Sequence, residues 1–155
     1  TDATINPKIV SKSKKTDSVT HLNVDAVPRI LVVEDDKMNR LVFKKMLDHL
    51  SKLTICHNGD YALEEVERVF NDNDSFDLVL MDINLPTPWD GISLMRELKA
   101  KYKQFNNIPF IAQTAYAMAG DREKMLREGF DDYISKPIDR SELFHIIEDH
   151  YHISN

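Results

Sequence analysis

The chain has 155 residues, a formal net charge of −6, and 42% hydrophobic and 30% charged residues, a composition typical of one globular domain. No stretch approaches the about 18 consecutive apolar residues that a transmembrane helix requires, so no membrane contact is expected. The excess of acidic residues lies after residue 28, which disfavours nucleic acid as a partner of that part of the chain.

Residues 1–28 differ in composition from the rest of the chain. They are rich in Ser, Thr, Asn, Asp and Lys, show no hydrophobic periodicity and end at Pro28, a pattern that predicts a linker or disordered tail. Residues 29–155 are predicted to form the folded domain. The single cysteine, Cys56, cannot form an internal disulfide, so we expect a reducing, cytoplasmic compartment.

Short apolar runs alternate with amphipathic segments along the folded part. The runs predict buried strands at 30–33, 53–57, 76–82, 108–114 and 131–135, each followed by a helix. The alternation predicts an α/β fold with right-handed crossovers, in which a doubly wound five-stranded parallel sheet has the order 2-1-3-4-5. In the first helix, the expected buried face consists of Met38, Val42, Met46 and Leu50.

Acidic residues follow two of the predicted strands. Glu34, Asp35 and Asp36 come directly after the first strand, and Asp82 ends the third. The predicted strand order makes these two strands neighbours, so their carboxylates should converge at the carboxyl edge of the sheet. Clustered carboxylates repel one another, which raises their affinity for a proton or a hard divalent cation. The pattern therefore predicts a Mg²⁺-assisted phosphate site.

Two further groups are expected at the same edge of the sheet. Thr114 ends the fourth strand and Lys136 follows the fifth. Each polar residue has an ordinary interpretation by itself: a helix cap for Asp36, a turn residue for Asp82 and a solvated side chain for Lys136. Together they supply what phosphoryl transfer needs, namely a carboxylate nucleophile, metal ligands and donors for the phosphoryl oxygens.

The chain resembles the receiver domain of two-component response regulators, which has a flavodoxin-like fold. The resemblance extends from about Arg29 to Tyr151. It rests on ILVVEDD at 30–36, LMDINLP at 80–86, DG at 90–91, QTA at 113–115 and DDYISKP at 131–137. Because these motifs occur in order at compatible spacing, the combined signal is highly specific.

The resemblance implies roles for the acidic residues. Asp82 matches the aspartate that accepts the phosphoryl group. Asp35 and Asp82 would bind Mg²⁺ directly together with the backbone carbonyl of Asn84, and Glu34 would act through a bound water. Asp36 lies outside this set and is expected to open the first helix.

The resemblance also implies a conformational switch and residues that set the lifetime of the phosphoryl group. Lys136 matches the lysine that contacts the phosphoryl group, and its bond to Pro137 is expected to be cis. Thr114 would bond a phosphoryl oxygen and Tyr133 would rotate inward, changing the surface of the following elements. Asn84 and Tyr116 match positions that tune the lifetime of the phosphoryl group. The bulky Tyr116 should screen it from water.

One segment departs from the family pattern. The loop from Pro86 to Gly91 reads Pro-Thr-Pro-Trp-Asp-Gly, one residue longer than is usual. Its path, and any partner contacts that it makes, therefore do not follow from the resemblance.

The expected partner is a histidine kinase or a histidine phosphotransfer domain, which would face Lys37, Arg40 and Lys44. Residues 114–137 are similar to receivers at the C-terminus of hybrid sensor histidine kinases, so an origin in such a kinase is expected. The domain would catalyse its own phosphorylation and dephosphorylation without being a conventional enzyme. A free-standing regulator is the alternative. A haloacid-dehalogenase-type phosphatase is disfavoured because Asn84 stands where its general acid would be. A flavin-binding domain would not explain the acids.

Overall fold

The computed structural model describes residues 27–115 and 118–154, with side chains as far as Tyr151. The predicted tail therefore lies almost entirely outside the described residues. The strands are β1 Arg29–Val33, β2 Lys52–Cys56, β3 Leu78–Asp82, β4 Phe110–Thr114 and β5 Asp132–Ser135. The helices are α1 Lys37–Leu47, α2 Gly59–Asn71, α3 Gly91–Lys101, α4 Asp121–Glu128 and α5 Arg140–Ser154, and a 3-10 helix at Lys103–Asn107 precedes β4.

The strands form one parallel sheet of order β2-β1-β3-β4-β5, which confirms the predicted topology. Every position of β3 and β4 is buried, as expected for inner strands covered by helices on both faces. Helices α2 and α3 pack on one face through Val66 and Leu94. Helices α1 and α5 pack on the other face through Phe43 and Leu143. No helix in the described part of the chain is long and apolar enough to cross a membrane.

Helix α1 buries a face that only partly matches the predicted one. Its buried residues are Phe43 and Leu47, and Met46 packs against the same core, whereas Met38 is 66% exposed. The prediction was wrong at Met38 because strict four-residue spacing overshoots a full turn by about 40° at each step, so such a stripe drifts around the helix. Phe43 lies beside this stripe, and its large ring takes the position that faces the sheet.

Some element boundaries also differ from those predicted. Strands β3 and β4 each begin two residues later, at Leu78 and Phe110. Phe76, which was assigned to a strand, instead stacks on Phe105 with ring centroids 6.4 Å apart. An apolar run bounded by polar residues predicts burial but does not separate a strand from the loop that leads into it.

Candidate active site

Three carboxylates meet at the carboxyl edge of the sheet. Glu34 directly follows β1 and is 0% exposed, and Asp82 ends the neighbouring strand β3 and is 1% exposed. Asp35 is exposed at the rim. One oxygen from each of the three groups lies within 4.8 Å of the others. Oxygen ligands at this spacing fit a hard divalent cation, which prefers carboxylates.

Lys136 supplies a positive charge to this cluster. Its Nζ lies 3.1 Å from Asp82 Oδ2, to which it donates a hydrogen bond, and 2.9 Å from Glu34 Oε1. The contact with Glu34 is an ion pair without hydrogen-bond geometry. Burial by itself would lower the pKa of Lys136, but the contacts with Glu34 and Asp82 outweigh burial and raise it. The peptide bond to Pro137 is cis, as predicted.

The positive charge of one lysine does not neutralise the negative charges of three carboxylates. The pKa of Asp82 is raised, mainly by burial and also by the negative charge of Glu34, despite the N–H of Asn84 and the charge of Lys136. Partial burial, together with the hydrogen bond and charge of Asp82, raises the pKa of Asp35. The site therefore favours a ligand that brings positive charge.

The backbone holds the Asp82 carboxylate in place. The N–H of Asn84 donates to Asp82 Oδ1 at 3.0 Å. A Cβ at Gly91 would lie 2.3 Å from the carbonyl oxygen of Asp82, so a larger residue would not fit there. In the lengthened loop, Trp89 Nε1 donates to Asp60 Oδ1 at 3.0 Å. This contact ties the loop that follows the acceptor strand to the first turn of α2.

Hydrogen bonds also hold the acidic turn after β1 in place. Asp36 is the N-cap of α1, as expected, and its side chain accepts from Asn39 N at 2.9 Å. Arg40 Nη1 donates to the backbone oxygens of Asp35 and Glu34 at 2.6 and 3.2 Å. Arg40 was expected only at a partner surface, and this intramolecular contact was not predicted. Its place in the first turn of the helix that follows the acidic residues is a signal that could have indicated it.

The predicted switch residues share one face of the sheet. Thr114 ends β4 and is 8% exposed. Tyr133 pairs with Ala112 in the register of β4 and β5, and its half-buried ring packs against the core on that face. The hydroxyl of Tyr133 is covered and has no hydrogen-bond partner among the described residues. Burial, reinforced by the charge of Asp121, raises the pKa of Tyr133.

A model of the response regulator receiver domain matches residues 30–148. The chain belongs to this family. The receiver domain is 37% identical over 122 residues to hybrid signal transduction histidine kinase I of Dictyostelium discoideum. It is 32% identical over 122 residues to sensor protein GacS of Pseudomonas syringae pv. syringae. Both matches cover 77% of this chain but only 7% and 13% of those longer proteins.

Solved receiver domains share this fold. The receiver domain of sensor histidine kinase PA1611 from Pseudomonas aeruginosa PAO1 is 38% identical, with a TM-score of 0.69 over 82% of this chain and 99% of that one. That structure has a magnesium ion coordinated in its active site cleft. The Francisella response regulator 1452 receiver domain is 28% identical, with a TM-score of 0.66 over 83% of this chain and 99% of that one.

Two predictions concern features of the receiver domain other than its acidic cluster. The side chain of Tyr116 is outside the described residues, so its suggested screening role stays a prediction. The surface expected to meet a partner is a groove of about 420 Å³ between α1 and the edge strand β2. The groove is lined by Lys37, Arg40, Leu41, Lys44, Asp48, Leu53, Ile55 and His57.

Proposed function

We propose that this receiver domain accepts a phosphoryl group on Asp82 from a phosphohistidine, with Mg²⁺, and changes conformation as a result. The observation that carries the proposal is the position of Lys136 Nζ, 3.1 Å from a carboxylate oxygen of Asp82 within a cluster that has excess negative charge. An acceptor carboxylate beside a fixed donor is the arrangement that phosphoryl transfer requires.

In the proposed reaction, a carboxylate oxygen of Asp82 attacks the phosphorus in line with the bond to the donor imidazole. The new P–O bond forms as the P–N bond breaks, and the imidazole nitrogen keeps the electron pair and takes up a proton. Lys136 donates hydrogen bonds to the phosphoryl oxygens. Glu34, Asp35, Asp82 and the carbonyl of Asn84 would hold Mg²⁺, which when bound neutralises charge on those oxygens.

The acyl phosphate would then shift an equilibrium between two conformations of the domain. Thr114 donates its hydroxyl hydrogen to a phosphoryl oxygen, and Tyr133 moves further into the space that this leaves. The covered, unpartnered hydroxyl of Tyr133 supports the idea that its present position is not its most stable one in every state. Helix α4, β5 and α5 would change their exposed surface. Asn84 and Tyr116 would set how long the state lasts.

The proposed partner is a histidine kinase or a histidine phosphotransfer domain that docks on the groove between α1 and β2. The exposed Lys37 and Lys44 give this groove a basic rim. The similarity to hybrid histidine kinases supports an origin as the receiver of such a kinase, with residues 29–155 as the receiver and 1–28 as a linker, on the cytoplasmic side. A free-standing regulator is the alternative, and the full-length gene product decides between them.

The test is phosphorylation by phosphoramidate with MgCl₂, followed by intact mass. The wild type should gain one phosphoryl group that hydroxylamine removes, and EDTA should prevent the gain. Asp82→Asn should gain none. Asp77→Asn, just before the first residue of the same strand, is the matched control and should behave as wild type. If Asp82→Asn is labelled at the wild-type rate, the acceptor is another residue.

A further inference from the structure

One buried polar side chain near the site has no role in the function proposed above. Gln113 precedes Thr114 in β4 and is 0% exposed. Its Nε2 and Oε1 are both covered, and neither has a hydrogen-bond partner among the described residues. A carboxamide buried in this way destabilises a fold, because it loses its hydrogen bonds to water and gains none in return. Such a group requires an explanation.

Gln113 lies on the same face of the sheet as the acceptor. The register pairs it with Asp82 on one side and with Ile134 on the other. Paired residues of parallel strands direct their side chains to the same face, and alternate residues of one strand do likewise. Ile111 and Ile134 both belong to the core beneath α1 and α5, so the amide of Gln113 is directed to that side.

The side chain of Lys136 crosses the carboxyl end of β4. It follows β5, whereas its Nζ reaches Asp82 at the end of β3 and Glu34 after β1, and β4 lies between β5 and β3. Gln113 is the residue of β4 that pairs with Asp82, one position before the end of the strand, so its place in the sheet is close to this crossing. An ammonium group has three N–H donors. Asp82 accepts one of them in a hydrogen bond, and Glu34 forms an ion pair with the ammonium group.

We propose that Gln113 is a positioning residue for Lys136, whose side-chain oxygen accepts an N–H when the ammonium group leaves Glu34 during phosphoryl transfer. The proposal rests on the function proposed above and adds a residue to it. A neutral acceptor suits this position, because it orients the ammonium group while leaving its charge for the phosphoryl oxygens. A carboxylate would compete for that charge, and an apolar side chain would provide no acceptor.

The primary test variant is Gln113→Met, which keeps the length of the side chain and removes its polar atoms. Without Mg²⁺, Gln113→Met should melt at a higher temperature than wild type, because an unpartnered amide has been removed from the core. Its phosphorylation by phosphoramidate should nevertheless be about tenfold slower or more, the loss expected for one hydrogen bond to a charged group. Gln113→Leu is a second variant with the same two expectations.

Ile111→Val is the matched control on the same face of the same strand. It should lower the melting temperature, as a loss of buried methylene does, and leave the phosphorylation rate unchanged. A Lys136→Ala background separates positioning from packing. If Gln113 acts through Lys136, then Gln113→Met should cause no further loss of rate in that background.

Four results would overturn the inference. A lower melting temperature for both Gln113 variants with an unchanged rate would make the amide a structural group, satisfied by a buried water. An equal loss of rate with and without Lys136 would show that the amide does not act through the lysine. If wild type is not phosphorylated on Asp82, the proposed function fails and the inference with it. Normal labelling of both wild type and Gln113→Met defeats the inference alone.

Discussion

Both ends of the parallel sheet carry acidic side chains, but the acids interact with different groups at the two ends. At the amino end, Asp77 Oδ2 accepts the backbone N–H of Arg29, and Asp131 Oδ2 accepts that of Phe110, each at 2.8 Å. Each of these acids thereby bonds the first residue of a neighbouring strand. At the carboxyl end, the carboxylates of Glu34 and Asp82 are buried beside each other, with one lysine between them.

The difference separates acids that hold the fold together from acids that are available for chemistry. The acids at the amino end accept an N–H from another strand, so the loss of one leaves the first residue of that strand without its acceptor. Carboxylates that repel one another destabilise the fold until a cation or a proton arrives. Natural sequences retain such local conflicts chiefly where function requires them.

The largest expected difference concerns metal affinity. Asp35→Asn removes a proposed ligand and should weaken Mg²⁺ binding about 10–100-fold, a loss comparable to those measured around other metal sites. Its neighbour Asp36 caps α1 and is not one of the three clustered carboxylates, so Asp36→Asn should change the affinity little. Isothermal titration calorimetry measures both, with emission of the single tryptophan, Trp89, as an independent signal. Equal losses in the two variants would mean that the acidic run is assigned one residue out of register.

At the amino end, the expected effect is on stability alone. Asp77→Ala leaves the N–H of Arg29 without its acceptor and should lower the free energy of unfolding by about 1–3 kcal/mol in urea denaturation. The matched variant is Asp74→Ala, which removes an exposed salt bridge to the same arginine and should have a much smaller effect. A slower phosphorylation of Asp77→Ala would show that the two ends of the sheet are not independent.

At the carboxyl end, removing an acid should raise the free energy of unfolding instead of lowering it. The pKa of Asp82 is raised in the folded protein, mainly by burial, so its charged form opposes folding at neutral pH. Without Mg²⁺, Asp82→Asn should therefore raise the free energy of unfolding by about 1 kcal/mol, within the usual range for single substitutions. Added Mg²⁺ should stabilise wild type and not the variant. A destabilised Asp82→Asn would show that the attraction of Lys136 outweighs the repulsion.

The smallest expected effect is the pH-dependent contribution that the first residue of β5 makes to stability. Burial opposes ionisation of Asp132, but hydrogen bonds from His150, the N–H of Tyr133 and Arg122 outweigh burial and lower its pKa. Its contribution to stability is complete above the unfolded-state pKa of about 4 and is lost as pH falls through the folded-state value.

Asp132→Asn should therefore cost about 1 kcal/mol at pH 6 and progressively less below about pH 4. Urea denaturation of both proteins across this range measures the difference. A difference that stays constant down to pH 2.5 or so would contradict the lowered pKa.

Much of this arrangement could be predicted because it depends on local patterns and on topology. The runs that end at Val33 and Asp82 have the length and composition of buried strands, and alternation with helices restricts their order to a few possibilities. Boundaries were less predictable. Phe76 continues an apolar run, yet it packs in a loop, because burial and strand pairing are separate properties. Helix α1 shows the same limit, since its apolar residues cover more than one face.

The sequence by itself determined which acids end the strands, because strand period and crossover handedness bring the carboxyl ends of β1 and β3 together. Only the tertiary structure decided which of those acids are buried and which charged groups they pair with. The buried Glu34 is paired with Lys136, about a hundred residues later, which reaches it across β3 and β4. Likewise Gln113 is fully covered. Burial and charge pairing depend on atoms brought together from distant parts of the chain, and no local pattern contains that information.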